Sequence, residues 1–270
     1  MAPINYNSVS EIKSFLKERG LSLKKGFGQN FLVSPDVREK ICSLLDPDTD
    51  QIVWEIGAGL GAMTAACAAR VKKLVVFEID RGFVQVLTEL NRSFGNIEIV
   101  EGDFLKTGIP MLEEGVVPHK IFGNLPYSSG SAIIYDLVKT NRYPRKMVFT
   151  LQREVVNRMT AVAGTKDYSL FTVICRFAFD IFPRGVIKPG SFFPAPEVTS
   201  TIVELAPHSR YRNLENRWLF FSLAKDIFAS RRKTLKNNLF NGSLSKSFSR
   251  ERILEACRAA GVDPSDRGET

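Results

Sequence analysis

The sequence has few of the residues that build metal or disulfide sites. Among its 270 residues are only four cysteines and two histidines. The cysteines lie far apart, at positions 42, 67, 175 and 257, and form no Cys-x-x-Cys pair. Structural zinc sites and disulfide frameworks depend on such residues at close, regular spacing. Neither kind of site is therefore expected.

Long apolar segments are also missing. The sequence has no apolar run of about 18 residues, the length at which a transmembrane helix is predicted. The first ten residues lack the apolar stretch of a signal peptide. A cytosolic protein with no membrane association is therefore expected. The length suits one large α/β domain and a smaller second one.

Positive charge is concentrated towards the C-terminus. Residues 206–270 contain thirteen Lys or Arg and seven Asp or Glu, so this segment carries +6 of the formal +8. Residues 228–239 are predicted to form a helix in which Arg232 and Lys236 share one face, one turn apart. Such a run is commonly a solvated helix face, and a surface that contacts phosphates is the alternative. A base-binding site elsewhere in the chain would favour the second interpretation.

Strand-like segments alternate with helical ones along the first 205 residues. Strands are predicted at residues 51–56, 74–77, 97–100, 120–122 and 147–151. Ser34 and Pro35 have the N-cap and N1 pattern of a helix start. The alternation predicts a parallel, doubly wound sheet, with residues 202–205 as a last strand that is expected to be antiparallel. We predict a domain of residues 1–205, with a helical lead-in over 1–35, and a second domain of residues 206–270.

Polar and glycine-rich clusters follow the predicted strands, at the sheet edge where such folds bind ligands. A glycine loop at 57–61 follows the first strand, and glycine lets the backbone approach a ligand closely. Glu78 lies 21 residues beyond Gly57, the spacing of an acid that binds the ribose hydroxyls of a nucleotide. Because Gly57, Gly59 and Ala62 also satisfy a relaxed GxGxxA pattern, a nicotinamide-dependent dehydrogenase stays possible on these features.

The segment Asn124-Leu125-Pro126-Tyr127 follows the fourth strand and suits the binding of an amino-bearing base. An exocyclic amine such as adenine N6 is a poor nucleophile because its lone pair is delocalised into the ring. The Asn124 side-chain oxygen and the Leu125 carbonyl can accept its two N–H groups, while Tyr127 offers a ring for stacking. A simple Pro-Tyr turn after a strand is the alternative. Asp103, after the third strand, is placed to accept from an adenine amino group.

Seven motifs carry a resemblance to a known family. They occupy residues 28–32, 55–61, 77–80, 102–103, 124–127, 192–198 and 231–235. In this order they resemble the KsgA family of ribosomal RNA adenine N6-dimethyltransferases, over nearly the whole chain. The resemblance implies a Rossmann-like sheet that binds S-adenosylmethionine (SAM) and a small all-helical C-terminal domain that helps hold RNA.

The resemblance also implies residue roles. Asn30 and Leu32 would contact the methionine end of SAM, Glu78 the ribose diol and Asp103 the adenine amine. The other cofactor contacts implied are Gln29, Gly57, Gly59, Ile79, Phe104 and Asn124. In catalysis, Asn124 and Leu125 would bind the target amine, with Tyr127 and Phe192 stacked on opposite faces of the base. The phosphate contacts expected in the basic segment are Arg231, Arg232, Lys233 and Lys236.

The function implied is transfer of methyl groups from SAM to N6 of two adjacent adenosines. These lie in the 3′-terminal hairpin of small-subunit (16S) ribosomal RNA, and the product is N6,N6-dimethyladenosine, formed during ribosome biogenesis. The expected partner is that RNA or the assembling small subunit, and the expected enzyme is a cytoplasmic monomer without a metal. No strong general base is predicted, because the methylated amine is acidic enough to lose its proton to water.

Two segments depart from the family pattern. The chain ends at 263–270 where relatives continue through another short helical stretch, so an incomplete C-terminal domain is expected. Residues 128–132 read Ser-Ser-Gly-Ser-Ala, which is more flexible than the usual sequence. Besides the dehydrogenase, two alternatives compete. One is a methyltransferase of the macrolide-resistance type that acts on large-subunit RNA, and the other is a non-catalytic RNA-binding assembly factor.

Overall fold

The computed structural model describes residues 4–24, 26 and 28–269. The chain forms two compact units, one of residues up to Val156 together with Asp180–Pro207. The other consists of Asn157–Phe179 and the residues from His208 onward. The grouping of Asn157–Phe179 with the C-terminal segment was not foreseen from the sequence. The predicted domain boundary at residue 205 stays a prediction.

The first unit is built on a mixed sheet of seven strands. The strands are β2 (Ile52–Ile56), β3 (Lys73–Glu78), β4 (Ile97–Glu101), β5 (Lys120–Asn124), β6 (Lys146–Gln152), β7 (Phe179–Ile187) and β9 (Ser200–Pro207). Their order is β4-β3-β2-β5-β6-β9-β7, with β2 to β6 parallel and β9 antiparallel to β6. The predicted parallel sheet and its antiparallel last strand are both confirmed. A small antiparallel sheet of β1 (Phe31–Leu32) and β8 (Phe192–Phe193) was not predicted.

Helices precede, connect and follow the parallel strands of this sheet. They are α2 (Pro35–Leu45), α3 (Ala62–Ala68), α4 (Arg81–Phe94), α5 (Phe104–Glu113), α6 (Gly130–Thr140) and α7 (Arg153–Thr160), preceded by α1 (Val9–Glu18). The predicted start of α2 is confirmed, since the Ser34 hydroxyl accepts from the Val37 N–H at 3.4 Å and Pro35 occupies N1. An N-cap bond of this kind stabilises a helix by about 1 kcal/mol.

The central parallel strands β2, β3, β5 and β6 are buried on both faces, which explains why they read as nearly continuous apolar runs. Trp54, Phe77, Phe122 and Phe149 are each at most 1% exposed. Burying one such side chain contributes about 1.5–3 kcal/mol, so the central strands are a rigid platform for the loops at their ends. Within the described residues, no helix is long and apolar enough to cross a membrane.

The second unit is mainly helical, with α8 (Leu170–Ala178), α9 (Arg217–Ile227), α10 (Leu235–Asn241) and α11 (Arg250–Ala259). The predicted helix over 228–239 is wrong, because α9 ends at Ile227 and α10 begins at Leu235. Thr234 caps α10, accepting from the Asn237 N–H at 3.3 Å. Arg232 therefore lies in a turn and does not share a helical face with Lys236. The prediction overlooked threonine as an N-cap.

Candidate active site

A cleft of about 230 Å³ lies at the carboxyl ends of the parallel strands, within the first unit. The strand order reverses between β2 and β5, the position at which open α/β sheets bind ligands. The cleft is lined by all ten residues that the sequence predicts to bind a cofactor: Gln29, Asn30, Leu32, Gly57, Gly59, Glu78, Ile79, Asp103, Phe104 and Asn124. The structure thus brings the predicted set together, and the contact each makes with a cofactor stays a prediction.

The glycine loop between β2 and α3 forms one wall of the cleft. Gly59 has φ +56°, a conformation that side-chain-bearing residues rarely adopt. A Cβ atom at this position would lie 3.0 Å from the Phe31 ring, so a larger residue would have to displace that ring. Glycine at this position avoids that displacement and lets the backbone itself face a ligand.

Glu78, the last residue of β3, is anchored by two backbone groups. Its Oε2 accepts from the Gly59 N–H at 2.7 Å, and its Oε1 accepts from the Asp80 N–H at 2.9 Å. The side chain is 5% exposed, and this burial raises the pKa of its carboxyl group. Each carboxylate oxygen has a further lone pair, so the group can still accept from a diol.

Apolar and polar groups meet at the ends of β3 and β4. Ile79 is 44% exposed, which is unusual for isoleucine and provides an apolar surface on the cleft. Phe104 is buried, and its ring packs edge-on against Phe77 with centroids 5.0 Å apart. Asp103 caps α5, accepting from the Leu105 N–H at 3.0 Å through Oδ1. These three neighbours suit a flat base that carries an amino group.

Gln29 lines the cleft and also makes two side-chain hydrogen bonds. Its Nε2 donates to Asp80 Oδ2 at 3.2 Å, and its Oε1 accepts from the Lys24 N–H at 2.8 Å. Lys24 Nζ also pairs with Asp80 Oδ2, at 3.0 Å. Burial alone would raise the pKa of Asp80, but the hydrogen bonds from Lys24, Gln29 and Gly82 outweigh it and lower that pKa. The Gln29 amide thus ties the segment before β1 to the end of β3.

The segment at 124–127 is held on three sides. Asn124 Nδ2 donates to the Asn30 carbonyl at 2.7 Å, and Asn124 Oδ1 accepts from the Thr150 hydroxyl. The Leu125 N–H donates to the Thr150 carbonyl at 3.2 Å. The half-buried Tyr127 shares a hydrogen bond of 2.7 Å with the Ser200 hydroxyl. Burial raises the pKa of Tyr127, although the bond with Ser200 opposes this shift. Hydrogen bonds to Asn30, Thr150 and Ser200 therefore fix this segment, and the roles predicted for Asn124, Leu125 and Tyr127 stay predictions.

Phe192, predicted to stack on the target base, is buried in the hydrophobic core. Its ring is 3% exposed and belongs to the hydrophobic core cluster that contains Leu32, Ile187 and Ile202. The next residue, Phe193, is only partly buried, and Lys13 Nζ lies 5.4 Å from its ring centroid. A base can stack on Phe192 only if that ring is first uncovered. The predicted stacking role of Phe192 stays a prediction.

Sequence reasoning gave no role to several cleft residues, of which Glu55 is the most unusual. Glu55 lies on β2, is 2% exposed, and accepts from the Thr64 hydroxyl at 2.6 Å. Burial raises the pKa of Glu55 to about 8, with the Thr64 bond opposing the shift. Its position in the sequence could have indicated a role, because a carboxyl group is unusual inside an apolar strand that leads directly into the glycine loop. Met63, Ile133 and Ser128 also line the cleft.

The basic residues of the second unit that are predicted to contact phosphate differ in their contacts within the protein. Arg231 is exposed, pairs with Glu269 at 2.7 Å and also donates to the Lys166 carbonyl, and its predicted phosphate contact stays a prediction. Arg232, Lys233 and Lys236 are exposed. Their predicted phosphate contacts stay predictions. In the described part of the chain, no group of three or more His, Cys, Asp or Glu residues is arranged to hold a metal ion.

Comparisons with known proteins agree with this geometry. A family model described as ribosomal RNA adenine dimethylase matches residues 20–266. The small-subunit ribosomal RNA methyltransferase A of Borreliella burgdorferi is 39% identical over 93% of this chain and 88% of its own length. The protein of the same name from Treponema denticola is 39% identical over 92% of this chain and 84% of its own length.

Two solved structures share the fold. A dimethyladenosine transferase from Plasmodium falciparum is 26% identical, with a TM-score of 0.69 over 86% of this chain and 82% of its own. The 23S rRNA methyltransferase ErmE is 24% identical, with a TM-score of 0.61 over 89% of this chain and 93% of its own. At that identity, the second likeness concerns the fold alone.

Proposed function

The chain belongs to the ribosomal RNA adenine dimethylase family, and from this premise we propose its reaction and substrate. The enzyme transfers methyl groups from SAM to N6 of two adjacent adenosines in the 3′-terminal hairpin of small-subunit ribosomal RNA. Its product is N6,N6-dimethyladenosine. The observation that carries this proposal is the cleft itself, which is lined by all ten predicted cofactor residues, Asn124 among them, and by Pro126 of the same segment.

The cleft fits SAM in shape and in chemistry. Glycine at position 59 avoids the close contact that a Cβ would make with the Phe31 ring, and Glu78 keeps acceptor capacity for a ribose diol. Ile79 and Phe104 offer apolar surface to the adenine ring, and Asp103 offers a carboxylate to its amine. When bound, SAM would supply the electrophilic methyl group and leave as S-adenosylhomocysteine. Asn30 and Leu32, which also line the cleft, would hold the methionine portion.

The target adenosine must leave its stacked position before its N6 can reach the cleft. Tyr127 would stack on the extracted base, which contributes about 1–3 kcal/mol per stacked face. Asn124 Oδ1 and the Leu125 carbonyl would accept the two N6 protons. These bonds favour a pyramidal nitrogen whose lone pair points at the methyl carbon. The rate then comes from orientation and fixed dipoles, and the proton on the methylated amine passes to water.

The helical second unit is proposed to hold RNA. Its exposed Arg232, Lys233 and Lys236 supply positive charge for phosphates. We further propose that the enzyme acts as a cytoplasmic monomer on ribosomal RNA or on the assembling small subunit. The likeness to ErmE concerns the fold alone, so it does not favour large-subunit RNA as the substrate.

A methyl-transfer assay with the two ribosomal RNAs tests the proposal. Purified protein and radiolabelled SAM are incubated separately with unmethylated small-subunit and large-subunit RNA. Label confined to N6 of adenosine in small-subunit RNA is the expected result. Label only in large-subunit RNA would identify the macrolide-resistance type of enzyme. The absence of label from both RNAs and from assembly particles would instead indicate a binding factor.

A further inference from the structure

Two buried hydroxyl groups lie behind the residues proposed to bind the target adenine. Thr150 is 1% exposed on β6, and Ser200 is 1% exposed on β9. The two strands are adjacent and antiparallel, and each hydroxyl bonds to one side chain of the 124–127 segment. Thr150 and Ser200 do not line the cleft themselves. They can therefore act on the reaction only through Asn124 and Tyr127.

The contacts with Asn30 and Thr150 together fix which way the Asn124 amide faces. The Asn30 carbonyl can only accept, so the amide nitrogen of Asn124 must face it, as the 2.7 Å bond shows. The amide oxygen then faces Thr150, whose hydroxyl must donate. Thr150 also lies opposite Asn124 in the register of β5 and β6, and its carbonyl accepts from the Leu125 N–H at 3.2 Å. Thr150 thus bonds to both residues whose oxygens would accept the N6 protons, to the Asn124 side chain and to the Leu125 N–H.

The bond to Thr150 uses one lone pair of Asn124 Oδ1 and leaves a second for the substrate. An amide fixed at both its nitrogen and its oxygen cannot rotate away from the reacting amine. Without the Thr150 hydroxyl, only the bond to Asn30 would hold the Asn124 amide in place. The expected loss is in orientation at the reacting atoms, which lowers the rate of transfer more than it weakens binding.

Ser200 has the corresponding relation to Tyr127. Its hydroxyl meets the Tyr127 hydroxyl at 2.7 Å, at the far end of the ring from the backbone. A ring fixed at both ends presents a stacking face of defined orientation. Sequence reasoning gave the Tyr127 hydroxyl no function, and the structure gives it a buried partner.

We propose that Thr150 and Ser200 are positioning residues for adenine methylation, Thr150 through the Asn124 amide and Ser200 through the Tyr127 ring. The inference rests on the proposed function, since it concerns how that same site orients its target base. Neither residue has been assigned a role by the sequence motifs.

Single-turnover methyl transfer on small-subunit RNA tests the role of Thr150. Thr150→Val keeps the shape of the side chain but removes the donor, and the rate should fall about tenfold. Thr150→Ser keeps the donor and should retain most of the rate. The dissociation constant for SAM should change less than about threefold in both variants. Thr201→Val is the matched control, because Thr201 is 5% exposed on β9 and, among the described contacts, its hydroxyl reaches neither Asn124 nor Tyr127.

Two further measurements distinguish a positioning role of Thr150 and Ser200 from a general loss of core packing. The side-chain amide resonance of Asn124, assigned by its loss in Asn124→Ala, should shift or broaden in Thr150→Val and stay in place in Thr150→Ser. A double-mutant cycle of Ser200→Ala with Tyr127→Phe should be non-additive, because either change removes the same bond. Each single change should slow transfer about fivefold.

The inference is overturned if Thr150→Val transfers methyl groups as fast as the unmodified enzyme. It is also overturned if Thr150→Ser loses as much rate as Thr150→Val, or if the Ser200 and Tyr127 effects simply add. Failure of the proposed function looks different, because the unmodified protein itself would then leave small-subunit RNA unmethylated.

Discussion

Replacing Glu78 with glutamine tests the cofactor site with the smallest change in shape. The Glu78 carboxylate accepts from the Gly59 and Asp80 N–H groups at 2.7 and 2.9 Å. A glutamine amide has one oxygen and one NH₂ group, so it can satisfy only one of these two donors. Its NH₂ group would face the other N–H group. The same replacement removes the charged acceptor proposed for the ribose diol.

The expected effect follows from the loss of one hydrogen bond to a charged group. Such a bond contributes about 1.5–3 kcal/mol. The dissociation constant for SAM should therefore rise about 10- to 150-fold in Glu78→Gln. Isothermal titration calorimetry measures this directly, with circular dichroism to show that the variant is folded at the temperature used.

Glu98→Gln is a suitable control for Glu78→Gln. Glu98 lies on β4 and does not line the cleft, and its side chain is 46% exposed beside Lys73. Its replacement should leave the affinity for SAM unchanged. An unchanged affinity in folded Glu78→Gln would refute the reasoning, because it would remove Glu78 from the ribose site.

Three further predictions concern other parts of the chain. Asn124→Ala should slow single-turnover transfer at least tenfold, about 1.4 kcal/mol, because an acceptor for N6 is lost; a smaller decrease would contradict the role given to this residue. The pKa of Glu55, about 8 in the folded protein against an ordinary 4.5, means that the folded state binds a proton which the unfolded state releases. The free energy of unfolding should therefore fall as the pH rises from about 5 to about 8, and urea titrations of Glu55→Gln should show a smaller fall. Replacing Arg232 and Lys233 with glutamine should reduce the salt dependence of RNA binding by about one unit of log–log slope per lost phosphate contact, without changing the affinity for SAM. Filter binding across a salt series measures this slope, and an unaltered slope would mean that these side chains only face solvent.

Much of the first unit follows from local sequence patterns. Buried parallel strands are recognisable as short apolar runs, and the cofactor residues follow them at the strand ends. Seven of the ten cofactor residues share one cleft because they lie at or just past the ends of parallel strands, which meet at the same edge. The other three, Gln29, Asn30 and Leu32, precede these strands and were expected only from the family resemblance. The small sheet of β1 and β8 was missed because each strand is only two residues long, which is too short to show an alternating pattern of apolar and polar residues.

The contacts that orient the site could not be predicted in the same way. Thr150 and Ser200 lie in strands that read as ordinary core segments, and their partners are 26 and 73 residues distant in the chain. Side-chain hydrogen bonds of this range depend on strand register, which no local pattern specifies. The same limit applies to Arg231, whose partner Glu269 is 38 residues away. The error at 228–239 was local, since a threonine N-cap was available in the sequence.

Mass analysis of small-subunit RNA tests the central claim most directly. Unmethylated RNA, free or in assembly particles, is incubated with the protein and SAM, digested to nucleosides and short fragments, and compared with a sample lacking SAM. The proposed function predicts N6,N6-dimethyladenosine at two adjacent positions of the 3′-terminal hairpin, and its loss when Asn124→Ala replaces the unmodified protein. Small-subunit RNA that stays unmethylated, while the folded protein binds SAM, would contradict it.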